Sequence, residues 1–298
     1  MAHRRYIHVF PPVAHYLEVV ECYRAAAARM GWMSVELWST WSAERPEWRD
    51  PDCAVIFWGY ISPPHIFRMV PQKRSAALVL RYSESIGYDK DLDPGQVGVL
   101  DSFKKAFKSF DAVFVGSPLE AEFLRPWCPK IGWAPVGYEP EVMGAPDWKQ
   151  RKDLDLVFYG APYGRREWIL PALRRHFGKR LLVCPVGTYG LRRKRFCERS
   201  RAILHVGHAR EVSAPGFRIA QIPSTSAAFI TESQDAWPAV HKKHFVALPM
   251  ARKDHMDAFI DRLEEALKLP LEAVARAAHK DLSKFTVERA MWYYTSVI

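Results

Sequence analysis

The side chains best suited to specific chemistry cluster in the second half of the chain. Tyr159-Gly160-Ala161-Pro162-Tyr163-Gly164-Arg165-Arg166 follows an apolar run, Leu154–Tyr159, and opens a helical one. Glycines at such a turn let backbone amides approach a phosphate. The helix amino terminus favours an anion, and two arginines add fixed positive charge. The segment is neither the G-x-G-x-x-G fingerprint nor the P-loop, so a plain strand-to-helix turn is the alternative reading. His205-Val206-Gly207-His208 ends a second apolar run, and its histidines could face a ligand. Their spacing is not that of a helical H-E-x-x-H site and no acid lies nearby, so no metal site is predicted and buried or loop histidines are the alternative. A third segment, Arg218 to Glu232, places the hydroxyls of Ser224, Thr225 and Ser226 before a strand-like run, Ala227–Thr231. Those hydroxyls could donate to phosphates or simply cap a turn.

Charge points to the same region. The chain of 298 residues carries a net charge of +10. Residues 165–201 hold twelve Arg and Lys against two acids, Glu167 and Glu198, so this one segment carries the whole excess. Such a focus attracts phosphates or a polyanion, and Arg192, Arg193, Lys194 and Arg195 are the expected nucleic-acid contacts; a solvated basic face is the alternative. Tyr163, Trp168, Tyr189 and Phe196 lie near the run and could stack on a base.

Other classes are excluded by composition. A hydrophobic fraction of 49% is too high for a disordered chain. No apolar run approaches the ~18–20 residues that span a bilayer. Pro11 and Pro12 cut short the only amino-terminal apolar stretch, so no signal peptide and a cytoplasmic location are expected. Five cysteines, scattered and never spaced C-x-x-C, are expected to be buried free thiols.

The elements that must position these groups alternate. Tyr6–Phe10, Met33–Trp38, Cys53–Tyr60, Ala76–Tyr82, Ala112–Val115 and Lys130–Pro135 read as strands; Val13–Met30 and Val99–Phe110 read as helices. Ser117-Pro118-Leu119-Glu120 is a capping box directly after a strand, the βα step of a parallel sheet. Glu139–Arg151, rich in Pro, Gly and charge, reads as a linker, after which the alternation restarts. In the second half Leu154–Tyr159, Arg180–Pro185, Ala202–Val206, Ala228–Thr231 and Phe245–Leu248 read as strands. Arg165–Phe177, Phe217–Ile222, Asp254–Leu267, Leu271–His279 and Thr286–Tyr294 read as helical. The expected fold is therefore α/β, with two Rossmann-like domains over residues 1–148 and 149–298 and a parallel sheet in each.

The stretch Arg218–Glu232 resembles the nucleotide-sugar-binding stretch of GT-B glycosyltransferases, in particular the CgeB-like (spore-maturation) group, whose carboxyl-terminal domain is of the glycosyltransferase family 1/4 type. In that family an arginine, an acidic ribose ligand, a loop glycine and a strand ending in Thr-Asp or Thr-Glu follow in order. Arg218 and Thr231-Glu232 match, while Gln221 stands at the acidic position and Ser226 at the glycine. Asp111–Ser117, Trp133–Tyr138, Asp153–Arg166, Ser200–Val206 and Phe285–Tyr294 resemble further family segments in the same order.

The resemblance implies a GT-B fold with a helix near 285–298 packing back on the first domain. It implies a UDP-type sugar donor as substrate, no bound metal or cofactor, and transfer of a hexose or pentose to a hydroxyl. The expected donor-binding residues are Gly160, Arg165, Arg166, Tyr189, His205, His208, Arg218, Gln221, Ser224, Thr225, Ser226 and Glu232. An inverting member needs a base from the first domain. Glu84 is the first choice, with Asp101 and His15 as alternatives, and a surface or capping role is the other reading of each. The basic segment favours hydroxymethylated pyrimidine in DNA as acceptor, such as phages make, in which case the location is the host cytoplasm. A cell-surface glycan, a protein or a small metabolite are competing acceptors. A non-catalytic nucleotide or nucleic-acid binding module is the alternative class. The oligomeric state is not legible.

Overall fold

The computed structural model describes residues 5–12, 16–59, 66–82, 104, 106–116, 118–207, 216–232 and 244–295. The chain forms two compact units, one built on each of two wholly parallel sheets.

The first sheet comprises β1 (Arg5–Phe10), β2 (Met33–Leu37), β3 (Cys53–Gly59), β4 (Ala77–Tyr82), β5 (Ala112–Val115) and β6 (Ile131–Trp133), in the order β2-β1-β3-β4-β5-β6. All seven residues of β3 are buried, as a central parallel strand covered on both faces requires. One face packs Ile7, Val55, Phe57, Leu80 and Val113 against Trp48 and Phe107. The other meets helix α1 (Leu17–Met30), whose Tyr23 lies edge-on to Trp58 and Phe10. On that face Trp58 donates its indole N–H to His8 Nδ1 at 2.9 Å, and burial holds the imidazole neutral, with its pKa pushed down to about 3. Two short helices, α2 (Pro118–Leu124) and α3 (Pro140–Met143), complete the run to the second unit.

The second sheet comprises β7 (Leu154–Phe158), β8 (Leu181–Val183), β9 (Ser200–His205), β10 (Ala228–Glu232) and β11 (Val246–Leu248), in the order β11-β10-β9-β7-β8. Helices α4 (Arg166–Phe177), α5 (Gly190–Glu198), α7 (Met256–Leu267) and α8 (Leu271–Leu282) belong to this unit, as does α6 (Gly216–Gln221) from Arg218 onward. Leu156, Phe158, Leu173 and Leu263 build the core on one face, and Val157, Ile203, Phe229 and Ala278 on the other.

The chain then returns to the first unit. Thr286 forms a parallel bridge with Tyr138, and Gly137 lies so close to it that a Cβ would fall 2.3 Å from the Thr286 carbonyl oxygen. Helix α9 (Val287–Thr295) seats Tyr294 edge-on to Phe114 and His8, and Tyr293 on Trp133. Arg29, at the end of α1, ties this return down by donating to Glu139 at 2.5 Å, Glu141 at 3.1 Å and Glu288 at 2.7 Å.

The alternation read from sequence matches these strands to within a residue or two. Helix α5 was not predicted. Four of its nine residues are Arg or Lys, and they hide its apolar side. The stretch read as linker, 139–151, contains α3, and its Asp147 amide donates to the buried Glu198 carboxylate at 2.9 Å. All five cysteines are free and buried, and burial pushes the thiols of Cys53, Cys128 and Cys184 up to about 11.

Candidate functional site

In an open parallel sheet, ligands bind at the carboxyl ends of the strands, where the chain's winding reverses. In the second sheet that point lies between β7 and β9, because β7 leads outward to β8 and β9 leads the other way to β10. The residues just past these two strand ends, Tyr159-Gly160 and Val206-Gly207, therefore define the crevice.

Buried arginines converge there. Arg166, in the first turn of α4, donates from Nε to the Val206 carbonyl at 2.9 Å and from Nη1 to the Ala161 carbonyl at 3.1 Å. Arg218 enters from α6 and lies 4.7 Å over the Tyr159 ring, whose hydroxyl donates to Gln221 Oε1 at 3.1 Å. Arg193 reaches the same ring from α5 at 5.5 Å. Arg166, Arg193 and Arg218 are 5%, 4% and 5% exposed. Among the described residues, Arg218 Nε and Nη1 have no hydrogen-bond partner. A buried guanidinium with unused donors is costly unless an anion completes it. Its planar fork matches the oxygens of a phosphate.

Gly160 makes this approach possible. Its φ is +135°, a backbone state that side chains rarely adopt. A Cβ there would fall 2.7 Å from Arg218 Nη2 and 3.5 Å from Arg166 Nη1. Gly160→Ala is expected to displace Arg218 and weaken pyrophosphate binding by about tenfold or more, with a stability loss of about 1–3 kcal/mol. Titration calorimetry and thermal unfolding read the two effects separately.

The other predicted residues divide. Arg165 does not point into the crevice but pairs with Glu232, donating to Oε1 at 2.5 Å and Oε2 at 3.0 Å. The amides of Gly207 and Ala251 donate to the same carboxylate at 2.8 and 2.9 Å, so each Glu232 oxygen already accepts two donors. His205 is fully buried, with Nδ1 3.0 Å from Thr231 Oγ1. Tyr189 is 39% exposed, at the start of α5. Ser224 and Thr225 are buried, and their hydroxyls donate to the carbonyls of Gln221 and Ile222. Ser226 precedes β10 and lies at the amino edge of the sheet, where its hydroxyl meets Glu198, the Asp147 carbonyl and Lys152. It is thus at the opposite end of the strands from Gly160, and the structure does not bring it to the crevice. Glu84, Asp101, His15 and His208 lie outside the described residues.

The predicted nucleic-acid run also splits. Arg193 points inward onto Tyr159, and Lys194 donates to Glu198 at 2.7 Å. Only Arg192 and Arg195 of the four are exposed. The signal for Arg193 was present: it stands four residues before Cys197, so both lie on the buried face of one helix.

No protein-family model and no curated protein matches the chain. Solved structures do. The chain is similar to sucrose-phosphate synthase from Thermosynechococcus elongatus, at 13% identity and a TM-score of 0.63, over 99% of this chain and 98% of that one. It is similar to Anabaena Alr3699/HepE, solved in complex with UDP and glucose, at 7% identity and a TM-score of 0.56, over 98% of both chains. It is also similar to S. aureus TarM, solved with UDP and α-GlcNAc-glycerol, at 11% identity and a TM-score of 0.60; 83% of this chain is covered, and it spans 55% of TarM's length. These similarities establish the fold, which is GT-B.

Proposed function

We propose that the chain is a glycosyltransferase that takes a sugar from a nucleoside-diphosphate donor, with a UDP-sugar as the leading donor, and passes it to a hydroxyl acceptor. The observation that carries this reading is Arg218, buried at the switch point of the second sheet with two donors that have no partner among the described residues. The resemblance of Arg218–Glu232 to the CgeB-like donor stretch supports it, as do structural neighbours solved with UDP.

In this reading the donor's diphosphate lies over Gly160. Arg218 and Arg166 take up the charge that grows on the leaving phosphate as the glycosidic bond breaks. Fixed, buried dipoles and cations are effective here because they need no reorganisation. The amides at the start of α4 add to the same field. The Tyr159 ring carries both the Arg218 and the Arg193 guanidinium over it, a cation–π contact that adds no opposite charge. Gln221, in place of an acid, keeps a further negative charge away from the diphosphate. The first unit supplies the acceptor side and the proton acceptor, with Glu84 proposed first and Asp101 or His15 as alternatives.

The DNA acceptor loses part of its basis. Of its four proposed contacts, Arg193 is buried and Lys194 is in an ion pair. The acceptor class is taken up below from the exposed surface.

The test is a binding and turnover panel. UDP, ADP and GDP are compared by calorimetry, and a set of UDP-sugars is assayed for slow release of UDP. Micromolar binding of at least one nucleoside diphosphate, with release from its sugar, is expected. A protein that binds none of the three is not a nucleotide-sugar enzyme. One that binds but never releases is a binding module.

A further inference from the structure

One exposed patch of the second unit lies at the turn before α5. The turn between β8 and α5 holds Val186 at 68% exposure and Tyr189 at 39%, and the first turn of α5 holds Leu191 at 63%. The turn is built rather than loose: the Thr188 amide and hydroxyl both donate to the Pro185 carbonyl, at 3.2 and 2.7 Å. Arg192 and Arg195 stand exposed beside these residues, and Leu191 and Arg195, four apart, share one side of the helix. From Cys184 to Cys197 the sequence contains no acid. Single exposed apolar residues are ordinary on any surface. Three within six positions, Val186 in a hydrogen-bonded turn, Tyr189 just after it and Leu191 in the first turn of the helix that follows, flanked by the exposed Arg192 and Arg195, are not.

We propose that this edge docks on an anionic lipid bilayer. Val186 and Leu191 enter the interface, Tyr189 sits at the headgroup level, and Arg192 and Arg195 meet lipid phosphates. Charge complementarity alone would also suit nucleic acid. The leading groups, however, are aliphatic side chains, which cannot stack on bases as the aromatic platforms of single-strand binders do. Among the described residues no helix is long and apolar enough to cross a membrane, so this attachment is peripheral. Helix α5 turns Arg193 inward to the crevice and Leu191 outward, so docking brings a donor site to the bilayer. Combined with the proposed function, the acceptor is then a hydroxyl on a lipid-linked molecule.

The experiment is co-sedimentation of the full chain with vesicles of phosphatidylcholine, with and without phosphatidylglycerol. Binding to the anionic vesicles, weakened by salt, is expected. The double variant Val186→Ser/Leu191→Ser is expected to bind them about tenfold less well, with its circular dichroism and UDP affinity unchanged. No wild-type binding to anionic vesicles overturns the proposal, as does equal binding by the double variant. Binding to duplex DNA without vesicle binding, lost in Arg192→Ala/Arg195→Ala, also overturns it and assigns the patch to nucleic acid. UDP affinity is read independently, so failure here leaves the donor reading intact.

Discussion

Arg218→Met is expected to abolish the thermal stabilisation that UDP confers while leaving the unliganded protein as stable as wild type, or more so. The two halves of this result have one cause. Among the described residues the buried Arg218 guanidinium leaves two donors without a partner, so its removal takes away a desolvation cost, and methionine fills similar volume beside Tyr159. In the complex those donors meet phosphate oxygens, and each hydrogen bond to a charged group contributes about 1.5–3 kcal/mol. Losing two weakens UDP binding by about 100-fold or more. Arg218→Lys keeps the charge but not the fork, so an intermediate loss is expected. Calorimetry with UDP and thermal scans with and without it make the comparison. UDP affinity within threefold of wild type in Arg218→Met would remove the central group of the proposed site.

Glu232→Ala is expected to act in the opposite sense, on the fold first and on binding only as a result. The carboxylate is 1% exposed and holds Arg165 in a two-pronged pair. It also accepts the amides of Gly207 and Ala251. Truncation takes the carboxylate from one half-buried cation and two buried amides together. Removing one partner of a buried pair costs about 3–5 kcal/mol. For a unit of this size that lowers the midpoint of thermal unfolding by roughly 10 °C. Glu232→Gln, which keeps two oxygen- or nitrogen-bearing arms but loses the charge, should recover part of it. A shift below about 2 °C in Glu232→Ala would show that the network contributes little.

The sheets were legible because buried parallel strands are written as apolar runs, and Cys53–Gly59 and Ala112–Val115 needed no more than that. Gly160 and Arg166 draw notice in sequence because glycine and arginine after a strand have a known physical use, and Arg218 because the resemblance of its stretch singles it out. Direction was harder to read. Arg193 and Arg192 are adjacent in sequence, yet one is buried over Tyr159 and the other faces solvent. Only the helical register of α5 separates them, and its basic residues concealed that helix. Glu232 is expected as a donor contact because Thr231-Glu232 matches the strand end of the resembled donor stretch, but Arg165, 67 residues away in a different element, already pairs with it. Long-range pairing of this kind has no local signature. Ser226 was misplaced for a related reason: a hydroxyl cluster gives no indication of which end of the next strand it will occupy.

The bridge between Tyr138 and Thr286 has a consequence for the order in which the protein is made. Synthesis runs from the amino terminus, and domains usually fold as they emerge. Here the first sheet leaves the ribosome early, yet the face carrying His8 and Phe114, covered in part by Tyr23 of α1, is not complete until Tyr294 arrives. Residues 143–285, which carry the second sheet, are all translated before that helix. The half of the protein that is begun first is therefore finished last, and in the interval its aromatic face is the surface a chaperone would have to guard.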